Sequence, residues 1–356
     1  MDTAITHQAA LVGAADGTIC ATDTAPVPGA IDDRIVARVK AVSISPVDAK
    51  IAGSYVTPGC IAGFEFAGVV QSIGPDASDD FQVGDRVCAA VFGMNPLEPS
   101  VGAFAEYTAV PHWTLLRVPS EMSFEEGASV GISFMTIGLA LFSSLNLPGR
   151  PLSPTSPRLP VLVSGGSSTT GTAAIQLLRL AGYDPIATCS ESNFDLVRGY
   201  GAAAVFDYRD PTCAAAIKRH TKNELRYAVD CISTSVSMQL CYEALGRAGG
   251  RYTALDPYNE AIAQSRKVIQ PDWVMGPHML GEEIAWPAPH GRPAKPEMVE
   301  FTVEWTDTLR QLLCQGLIRP HPLTIRHGAL PDVVNGIADV RARRISGTKL
   351  VYALSF

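Results

Sequence analysis

The chain contains 356 residues with a formal net charge of −7 at pH 7, and 18% of its residues are charged while 47% are hydrophobic. This length is sufficient for two domains with substantial cores. The acidic balance and the lack of a Lys/Arg block argue against nucleic-acid binding and against an anionic membrane surface as partner. The N-terminal sequence lacks the pattern of a signal peptide, and no uninterrupted apolar stretch reaches the length of a membrane span.

The eight cysteines are scattered along the chain, without a C-x-x-C pair and without a Cys/His cluster at zinc spacing. In a chain of this size such usage is typical of reduced, mostly buried thiols in a cytosolic protein. The sequence therefore predicts a cytoplasmic protein without a metal site.

Short strands and Gly-punctuated turns dominate the chain from Ala9 to about Phe124. This β-rich pattern suggests a barrel-like domain, followed by two helices. The predicted elements are strands over residues 35–42, 66–73 and 87–92 and helices over residues 123–128 and 135–145.

The most informative segment runs from Val161 to Ser190: an apolar strand, a loop of Gly, Ser and Thr, an apolar helical pattern and a second apolar strand. This order predicts a βαβ unit that holds a dinucleotide pyrophosphate at the N-terminus of its helix. The loop departs from G-x-G-x-x-G because Ser168 stands between Gly165 and Gly171. Its hydroxyl groups can still donate hydrogen bonds to phosphate oxygens. A Gly/Ser turn of some other α/β protein is the alternative interpretation.

Two Pro-rich segments, over residues 146–160 and 286–298, interrupt the second half of the chain. Strands and helices alternate between them, which predicts a parallel sheet. The remaining predicted elements are strands over 227–232, 250–255 and 349–354 and a helix over about 298–315.

Five short motifs follow one another along the chain: Ser45-Pro46-Val47-Asp48, the GFEFAG sequence from Gly63, the VGDRV sequence from Val83, the Gly165 loop and the SGTKLV sequence from Ser346. Together they resemble the medium-chain dehydrogenase/reductases over nearly the whole chain. The resemblance implies an α/β fold: a GroES-like β-barrel catalytic domain over residues 1–130, completed by about 310–356, and a Rossmann doubly wound parallel sheet over 131–309. The active site of such proteins lies in the cleft between the domains.

The sequence resembles the zinc-independent branch of this family. The zinc branch has a cysteine where Ser45-Pro46 stands and a histidine where Phe64 stands, and this chain also lacks the four-cysteine structural lobe. Because catalytic zinc needs about three protein ligands, these residues argue against a zinc alcohol dehydrogenase.

The more specific resemblance is to fungal trans-acting enoyl reductases that partner highly reducing polyketide synthases, as in lovastatin biosynthesis. It rests on the stretch from Gly165 to Leu196, on Phe206-Asp207-Tyr208-Arg209, and on Trp286-Pro287-Ala288-Pro289 within an insertion. The resemblance implies hydride transfer from NADPH to the β-carbon of an α,β-unsaturated thioester on an acyl carrier protein. Protonation of the α-carbon follows, and the protein is expected to be a monomer.

The same resemblance implies three groups of site residues. The catalytic candidates are Lys50, Thr136 and Tyr55. The cofactor-binding candidates are Val47, Asp48, Ala49, Lys50, Ser167, Ser168, Thr169, Thr170, Ser190, Asn193, Tyr208, Leu255, Asp256, Ser346 and Gly347. The candidates for an acyl tunnel are Ile137, Gly138, Leu139, Ala140, Leu141, Phe142, Met275, Gly276, Met279 and Leu280.

Several alternatives stay open at the level of the sequence. Tyr55 follows a glycine as in mitochondrial-type enoyl thioester reductases, where a phenol donates the proton, whereas the lovastatin-type group does not depend on such a tyrosine. Ser190 or Glu191 decides between NADP and NAD. The alternative functions are an NADPH quinone or alkenal reductase that acts on free small molecules, and a non-catalytic NADPH-binding protein.

Overall fold

The computed structural model describes residues 6–356; the first five residues, part of the stretch examined for a signal peptide, lie outside the described residues. Strands make up most of the regular structure up to Arg117, and others follow further along the chain. They are β1 His7–Gly13, β2 Ile19–Pro26, β3 Arg34–Ile44, β4 Glu65–Ile73, β5 Arg86–Ala90, β6 Tyr107–Pro111, β7 Leu116–Arg117, β8 Pro160–Ser164, β9 Asp184–Cys189, β10 Ala204–Asp207, β11 Tyr227–Asp230, β12 Gly250–Ala254, β13 Ile269–Trp273, β14 Leu323–Gly328 and β15 Lys349–Leu354.

Helices connect these strands. They are α1 Pro46–Lys50, α2 Phe124–Gly127, α3 Gly131–Gly138, α4 Thr169–Leu180, α5 Phe194–Gly199, α6 Cys213–His220, α7 Ser235–Ala244, α8 Glu260–Ser265, α9 Met298–Cys314 and α10 Leu330–Arg341. Short 3₁₀ turns lie at Gly53–Tyr55, His112–Thr114, Glu191–Asn193 and Gly276–Leu280, and a π-helical segment lies at Leu139–Ser144.

One compact unit comprises residues 6–132 together with 277–356. Its main sheet has the strand order β14-β15-β3-β4-β5-β7, with β6 also paired to β3, while β1 and β2 form a separate pair. Strand β15 pairs antiparallel with β3, so the C-terminal part of the chain completes a sheet that begins near the N-terminus. The predicted GroES-like fold is confirmed.

The second unit comprises residues 133–276 and contains a six-stranded parallel sheet. Its strand order is β10-β9-β8-β11-β12-β13, so the chain starts at β8, winds outward to β10 and then returns to β11. This reversal is the topological switch point of a doubly wound sheet, and ligands bind beside it at the carboxyl ends of the strands. The predicted Rossmann fold is confirmed.

The units divide the chain differently from the predicted domains, because residues 277–309 belong to the first unit. Helix α9 explains the difference. Its Arg310 guanidinium donates hydrogen bonds to the backbone carbonyls of Leu115 and His112, each at 2.9 Å, and its side chains Trp305 and Leu309 are buried. The predicted boundary at residue 309 lies within α9 and could not anticipate this packing.

The apolar helix predicted over 135–145 begins earlier, at Gly131, and its second half is a π-helical segment. Within the stretch Phe124–Ser144, which includes α2, an 18-residue window has a mean hydropathy of 1.5, so by length and composition the stretch could cross a membrane. The expectation that no segment reaches this length is therefore wrong. However, 78% of the window is buried inside the protein, which is typical of a core helix.

Candidate active site

The loop between β8 and α4 is shaped by the first turn of the helix. Gly165 has a φ of +78°, and the Ser168 hydroxyl donates a hydrogen bond to its carbonyl oxygen at 2.7 Å. The same hydroxyl accepts a hydrogen bond from the Gly171 N–H at 3.0 Å, which makes Ser168 the N-cap of α4. A Cβ atom at Gly171 would lie 2.2 Å from the Gly165 carbonyl oxygen, so only glycine allows the helix to begin this close to the strand.

This loop fits a dinucleotide pyrophosphate. The N–H groups of Thr169 and Thr170 lie in the first helical turn, where no intrahelical carbonyl is available to them. They and the positive end of the helix dipole favour an anion at this position. Ser168 differs from its neighbours, because capping of the helix already occupies its hydroxyl group.

A second polar cluster lies at the end of β9, beside the loop. The Asn193 side-chain amide donates to Ser190 Oγ at 3.1 Å and to Ser167 Oγ at 3.3 Å. The structure therefore brings three predicted cofactor residues together. In the neighbouring strand β10, Asp207 is in register with Cys189, so Tyr208 follows one strand end as Ser190 follows the other.

The charges around this cluster are mixed. Tyr208 is half exposed, and the Arg209 guanidinium lies 5.6 Å from the centre of its ring. Arg198 is paired with Asp195 at 3.3 Å, and Glu191 is exposed. Arg209 therefore supplies a cation beside Tyr208, while Glu191 keeps one negative charge near Ser190.

The predicted nicotinamide and acyl-tunnel residues of the second unit lie on α3, the π-helical segment and the end of β13. Thr136 is half-buried, and a Cβ atom at Gly276 would lie 3.7 Å from its hydroxyl oxygen, so these two predicted residues are neighbours. Ile137 and the apolar residues up to Phe142 are buried, as core residues would also be. π-Helical segments are rare and occur frequently at functional sites.

Other predicted residues lie at loop ends. Leu255 and Asp256 follow β12 at the carboxyl edge of the parallel sheet, and the Leu255 N–H donates to Ser233 Oγ at 2.8 Å. In the first unit, Ser346 is exposed and Gly347, with a φ of +67°, precedes β15. Met279 is buried, and its carbonyl oxygen accepts a hydrogen bond from the Thr302 hydroxyl at 2.7 Å.

The short helix α1 places Asp48 and Lys50 in opposite environments. Lys50 is exposed, whereas Asp48 is buried and accepts a hydrogen bond from the Ser45 N–H at 2.7 Å. Burial raises the pKa of the Asp48 carboxyl to about 7, against the effect of the Ser45 N–H and of nearby Lys349. Its second oxygen, Oδ1, is buried and accepts no hydrogen bond among the described residues. Asp48 is thus part of the interior, and Lys50 is the polar side chain that α1 presents outward.

A buried ion pair lies below α1, and sequence reasoning assigned it no role. Lys349 on β15 contacts Glu65 on β4 at 2.7 Å, with both side chains almost fully buried. Lys349 also donates to Ser45 Oγ at 2.8 Å, and Glu65 accepts hydrogen bonds from the Ser43 hydroxyl and the Ile132 N–H. The signal in the sequence is a charged residue at the first position of each of two apolar strands.

Arg341 fixes the other end of the same helix. Its guanidinium donates to the Ala49 carbonyl at 2.8 Å and to the Ile51 carbonyl at 3.2 Å, where α1 ends. Helix α1, which carries the predicted residues Val47 and Ala49, is therefore held at one end by the buried pair and at the other by α10.

Tyr55 is hydrogen bonded to a residue that sequence reasoning did not include in the site. Its hydroxyl lies 2.7 Å from Nδ1 of His290, which belongs to the second Pro-rich segment. The Tyr55 ring also stands edge-on to Trp286, which contacts Phe64 in the same way and donates through Nε1 to the Met94 carbonyl at 2.9 Å. A separation of 235 residues between Tyr55 and His290 leaves no signal in a single sequence.

The residues of this region do not fit a zinc ion. Phe64 is buried against Trp286, and the Ser45 hydroxyl is engaged with Lys349. Within residues 6–356 no group of three or more His, Cys, Asp or Glu side chains is placed to hold a metal ion. All eight cysteines are free, and five of them are buried.

Comparison with known proteins agrees with this architecture. Residues 31–120 match the family of alcohol dehydrogenase GroES-like domains, and residues 169–269 match the family of zinc-binding dehydrogenases. A putative zinc-dependent alcohol dehydrogenase from Rhizobium etli CFN 42 has the same fold, with a TM-score of 0.79 and 22% identity over 99% of each chain. The CurK enoyl reductase structure has a TM-score of 0.75 and 16% identity over 98% of this chain and 99% of that one. The fold defines a medium-chain dehydrogenase/reductase.

Relatives of higher sequence identity show which family of medium-chain dehydrogenase/reductases the chain belongs to. A trans-enoyl reductase from Fusarium sp. (strain FN080326) is 62% identical over 349 residues, which cover 98% of this chain and 99% of that protein. A trans-enoyl reductase from Talaromyces variabilis is 55% identical over 348 residues, with 98% and 97% covered. The chain belongs to the family of fungal trans-enoyl reductases, as the resemblance in its sequence predicted.

Proposed function

We propose that the protein reduces the carbon–carbon double bond of an α,β-unsaturated thioester that a highly reducing polyketide synthase presents on its acyl carrier protein. The observation that carries the proposal is the identity of 62% to a trans-enoyl reductase over almost the whole chain. A partner in trans is proposed from the names of the same relatives, which are trans-enoyl reductases.

The cofactor in this proposal is NADPH, which supplies a hydride when bound. Its pyrophosphate would lie at the N–H groups of Thr169 and Thr170. Its 2′-phosphate would lie beside Ser190, Asn193 and Tyr208. Three observations support NADPH over NADH: the bonded Ser190–Asn193 pair, the cation of Arg209 beside Tyr208, and the absence of an acidic residue at position 190.

Two polar side chains would orient the reacting groups. Lys50 is exposed at the end of α1 and is suited to bond ribose hydroxyls or the thioester carbonyl. Thr136 is half-buried beside Gly276, where a hydroxyl can hold a carbonyl or amide in one orientation. The apolar residues of the segments 137–142 and 275–280 would bind the acyl chain.

Tyr55 is the proposed proton donor. Its O–H bond breaks as a C–H bond forms at the α-carbon of the substrate enolate. The phenolate left behind takes up a proton that comes from solvent and passes through His290, whose Nδ1 lies 2.7 Å from the Tyr55 hydroxyl oxygen. The aromatic contacts with Trp286 hold the Tyr55 ring in one orientation. His290 acts through Tyr55 and is a positioning residue.

The remaining properties follow from the same proposal. A cytoplasmic location suits eight free cysteines, because a reducing compartment keeps thiols free. A monomer is also proposed, in keeping with the resemblance. No nucleic acid or membrane takes part in the reaction.

The experiment is a comparison of substrates at equal concentration. NADPH consumption is followed with an α,β-unsaturated acyl pantetheine thioester, a simple quinone and an alkenal, and NADH serves as the cofactor control. The proposal requires turnover of the thioester with NADPH and at most weak turnover with NADH. Turnover of quinone or alkenal with an inert thioester would make the protein a small-molecule reductase, and NADPH binding without turnover of any substrate, carrier-bound thioester included, would make it a non-catalytic protein.

A further inference from the structure

A groove of about 720 Å³ on the second unit is lined almost entirely by cationic side chains. Its charged lining residues are Lys218, Arg219, Lys222, Arg247 and Arg266, and Asn223 and Val268 complete it. Among the described residues no carboxylate lines the groove, although the whole chain carries a net charge of −7. Over residues 6–356, none of these five cations forms a salt bridge in the structure.

Close packing of three loops builds the groove. A Cβ atom at Gly246 would lie 2.4 Å from the Asn223 carbonyl oxygen, so this glycine brings the loop of Lys222 against the loop of Arg247. A Cβ atom at Gly249 would lie 2.0 Å from the Val268 carbonyl oxygen, which brings in the third loop. The cations are therefore held together by backbone packing and do not meet by chance rotation of side chains.

Arg266 differs from the other four cations because it is used internally. Its guanidinium donates hydrogen bonds to the carbonyls of Tyr242, Leu245 and Gly246 at the end of α7. Lys218 and Arg219 lie in the last turn of α6, where the helix dipole stabilises a positive charge. The dipole of α6 explains how the fold tolerates Lys218 and Arg219 side by side. Lys222 and Arg247 are both exposed, and neither forms a salt bridge among the described residues.

The groove lies at the amino ends of the parallel strands, whereas the cofactor residues lie at their carboxyl ends. Its three loops precede β11, β12 and β13, whereas the Gly165 loop, Ser190 and Asp256 follow the carboxyl ends of their strands. A strand of five residues separates its amino end from its carboxyl end by about 15 Å. The groove is therefore distinct from the site of the cofactor phosphates, and a partner bound there leaves the carboxyl edge free.

We propose that this groove docks an acidic protein segment of the partner synthase, apart from the site that receives the thioester. The inference rests on the proposed function, because that function supplies the partner. An exposed apolar side chain, Val268, stands among the cations and gives such a segment a contact beyond charge. Complementary charges of this kind raise the association rate and select the partner, and salt weakens both effects.

The test compares two substrates in one variant. Lys222→Glu with Arg247→Glu reverses two exposed charges, and Lys40→Glu with Arg343→Glu makes the same change of net charge at exposed positions of the other unit. With the enoyl intermediate on the intact synthase, we expect kcat/KM of the groove variant to fall by at least about tenfold, with little salt dependence left. With the free pantetheine thioester it should stay within about twofold of the unmodified protein, since rim charges act on association. The control variant should behave like the unmodified protein with both substrates.

Other outcomes separate the two proposals. Equal losses on both substrates, or an unchanged rate on the synthase, would overturn the docking surface while the reductase activity stands. Tight binding of inorganic phosphate by the unmodified protein, lost in the groove variant without any effect on the synthase reaction, would assign the groove to a small anion and overturn it as well. If the unmodified protein reduces neither substrate, the proposed function itself is wrong. A variant with Lys222→Gln and Arg247→Gln serves as a second test, and the melting temperatures of both variants are compared with that of the unmodified protein to show that they fold. The Gln variant should show a smaller loss of kcat/KM on the synthase and none on the free thioester.

Discussion

Asp48 and Lys50 lie two residues apart on α1, and the fold gives them opposite tasks. Sequence resemblance assigns both to the cofactor site, and only Lys50 is exposed to a ligand. Asp48 instead accepts the Ser45 N–H and lies near the buried pair of Lys349 and Glu65. At the residue scale, Asp48 therefore acts by shaping the helix that carries Lys50.

The raised pKa of Asp48 predicts a pH-dependent stability. The pKa is about 7 in the folded protein and about 3.9 in an unfolded chain, so between these values the folded state holds a proton that the unfolded state lacks. Stability from this group therefore falls as the pH rises from about 4 to 7 and stays low above that range. Asp48→Asn keeps an oxygen for the Ser45 N–H and removes the buried charge. Urea unfolding should show this variant to be more stable than the unmodified protein at pH 8 by a few kcal/mol, with the difference shrinking at pH 4. A variant that is less stable at pH 8 would contradict the account.

Tyr55 provides a prediction about chemistry. Tyr55→Phe keeps the ring contacts and removes the hydroxyl, so kcat should fall about a hundredfold while NADPH affinity is unchanged. The solvent deuterium isotope effect should increase, because protonation becomes the slow step. His290→Gln should lower kcat by a smaller factor and also increase the isotope effect, which loss of packing alone would not do. If kcat of Tyr55→Phe is normal, water is the proton donor.

At the scale of elements, the start of α4 decides whether the Gly165 loop, the proposed pyrophosphate site, can form. The Cβ atom of Gly171→Ala would lie 2.2 Å from the Gly165 carbonyl oxygen, so the loop must open despite the better helix propensity of alanine. We expect NADPH affinity, measured by titration, to fall at least about tenfold and stability to fall by about 1–3 kcal/mol. Gly29→Ala is the matched control, because its Cβ atom would contact only the Ile31 side chain, at 3.4 Å, and both properties should stay nearly unchanged. Unaltered NADPH affinity in Gly171→Ala would mean that this turn does not hold the cofactor.

The ion pair between Lys349 and Glu65 joins β15 to β4 and provides a test of the C-terminal completion. Lys349→Met leaves Glu65 buried and charged, which should lower the free energy of unfolding by about 3–5 kcal/mol. Adding Glu65→Gln removes the unpaired charge, so the double variant should be more stable than Lys349→Met alone. Urea unfolding of the single and double variants measures the coupling. Simple additivity of the two losses would show that the pair is not coupled.

Elements with a clear period could be predicted from the sequence, and those set by long-range packing could not. Strand β15 begins and ends where predicted, and α9 ends one residue early, because alternation or helical spacing continues to the last turn. The π-helical segment at Leu139–Ser144 and the assignment of residues 277–309 to the first unit depend on tertiary contacts. The same is true of the site. The Gly165 loop has a local sequence pattern. The Tyr55–His290 hydrogen bond and the buried Lys349–Glu65 ion pair instead connect residues that are far apart in the chain.

At the scale of the whole molecule, the two units carry different parts of the proposed reaction. The parallel sheet supplies the phosphate loop and the polar cluster at Ser190, and the first unit supplies Lys50 and Tyr55. The cationic groove at the opposite edge of the sheet supplies contact with the synthase. The fold class and the family could be predicted from the sequence, whereas the groove was not, because its cations come from the end of α6 and from three loops.

The measurement that tests the central claim most directly is the mass of the intermediate on the carrier protein. The synthase is loaded with an α,β-unsaturated acyl chain on its phosphopantetheine arm and incubated with the protein and NADPH, and the arm is then analysed by mass spectrometry. We predict a gain of one H₂ that requires both the protein and NADPH and that places deuterium from the labelled cofactor at the β-carbon. An unchanged acyl mass, while the same preparation reduces a free quinone or alkenal, would contradict the account.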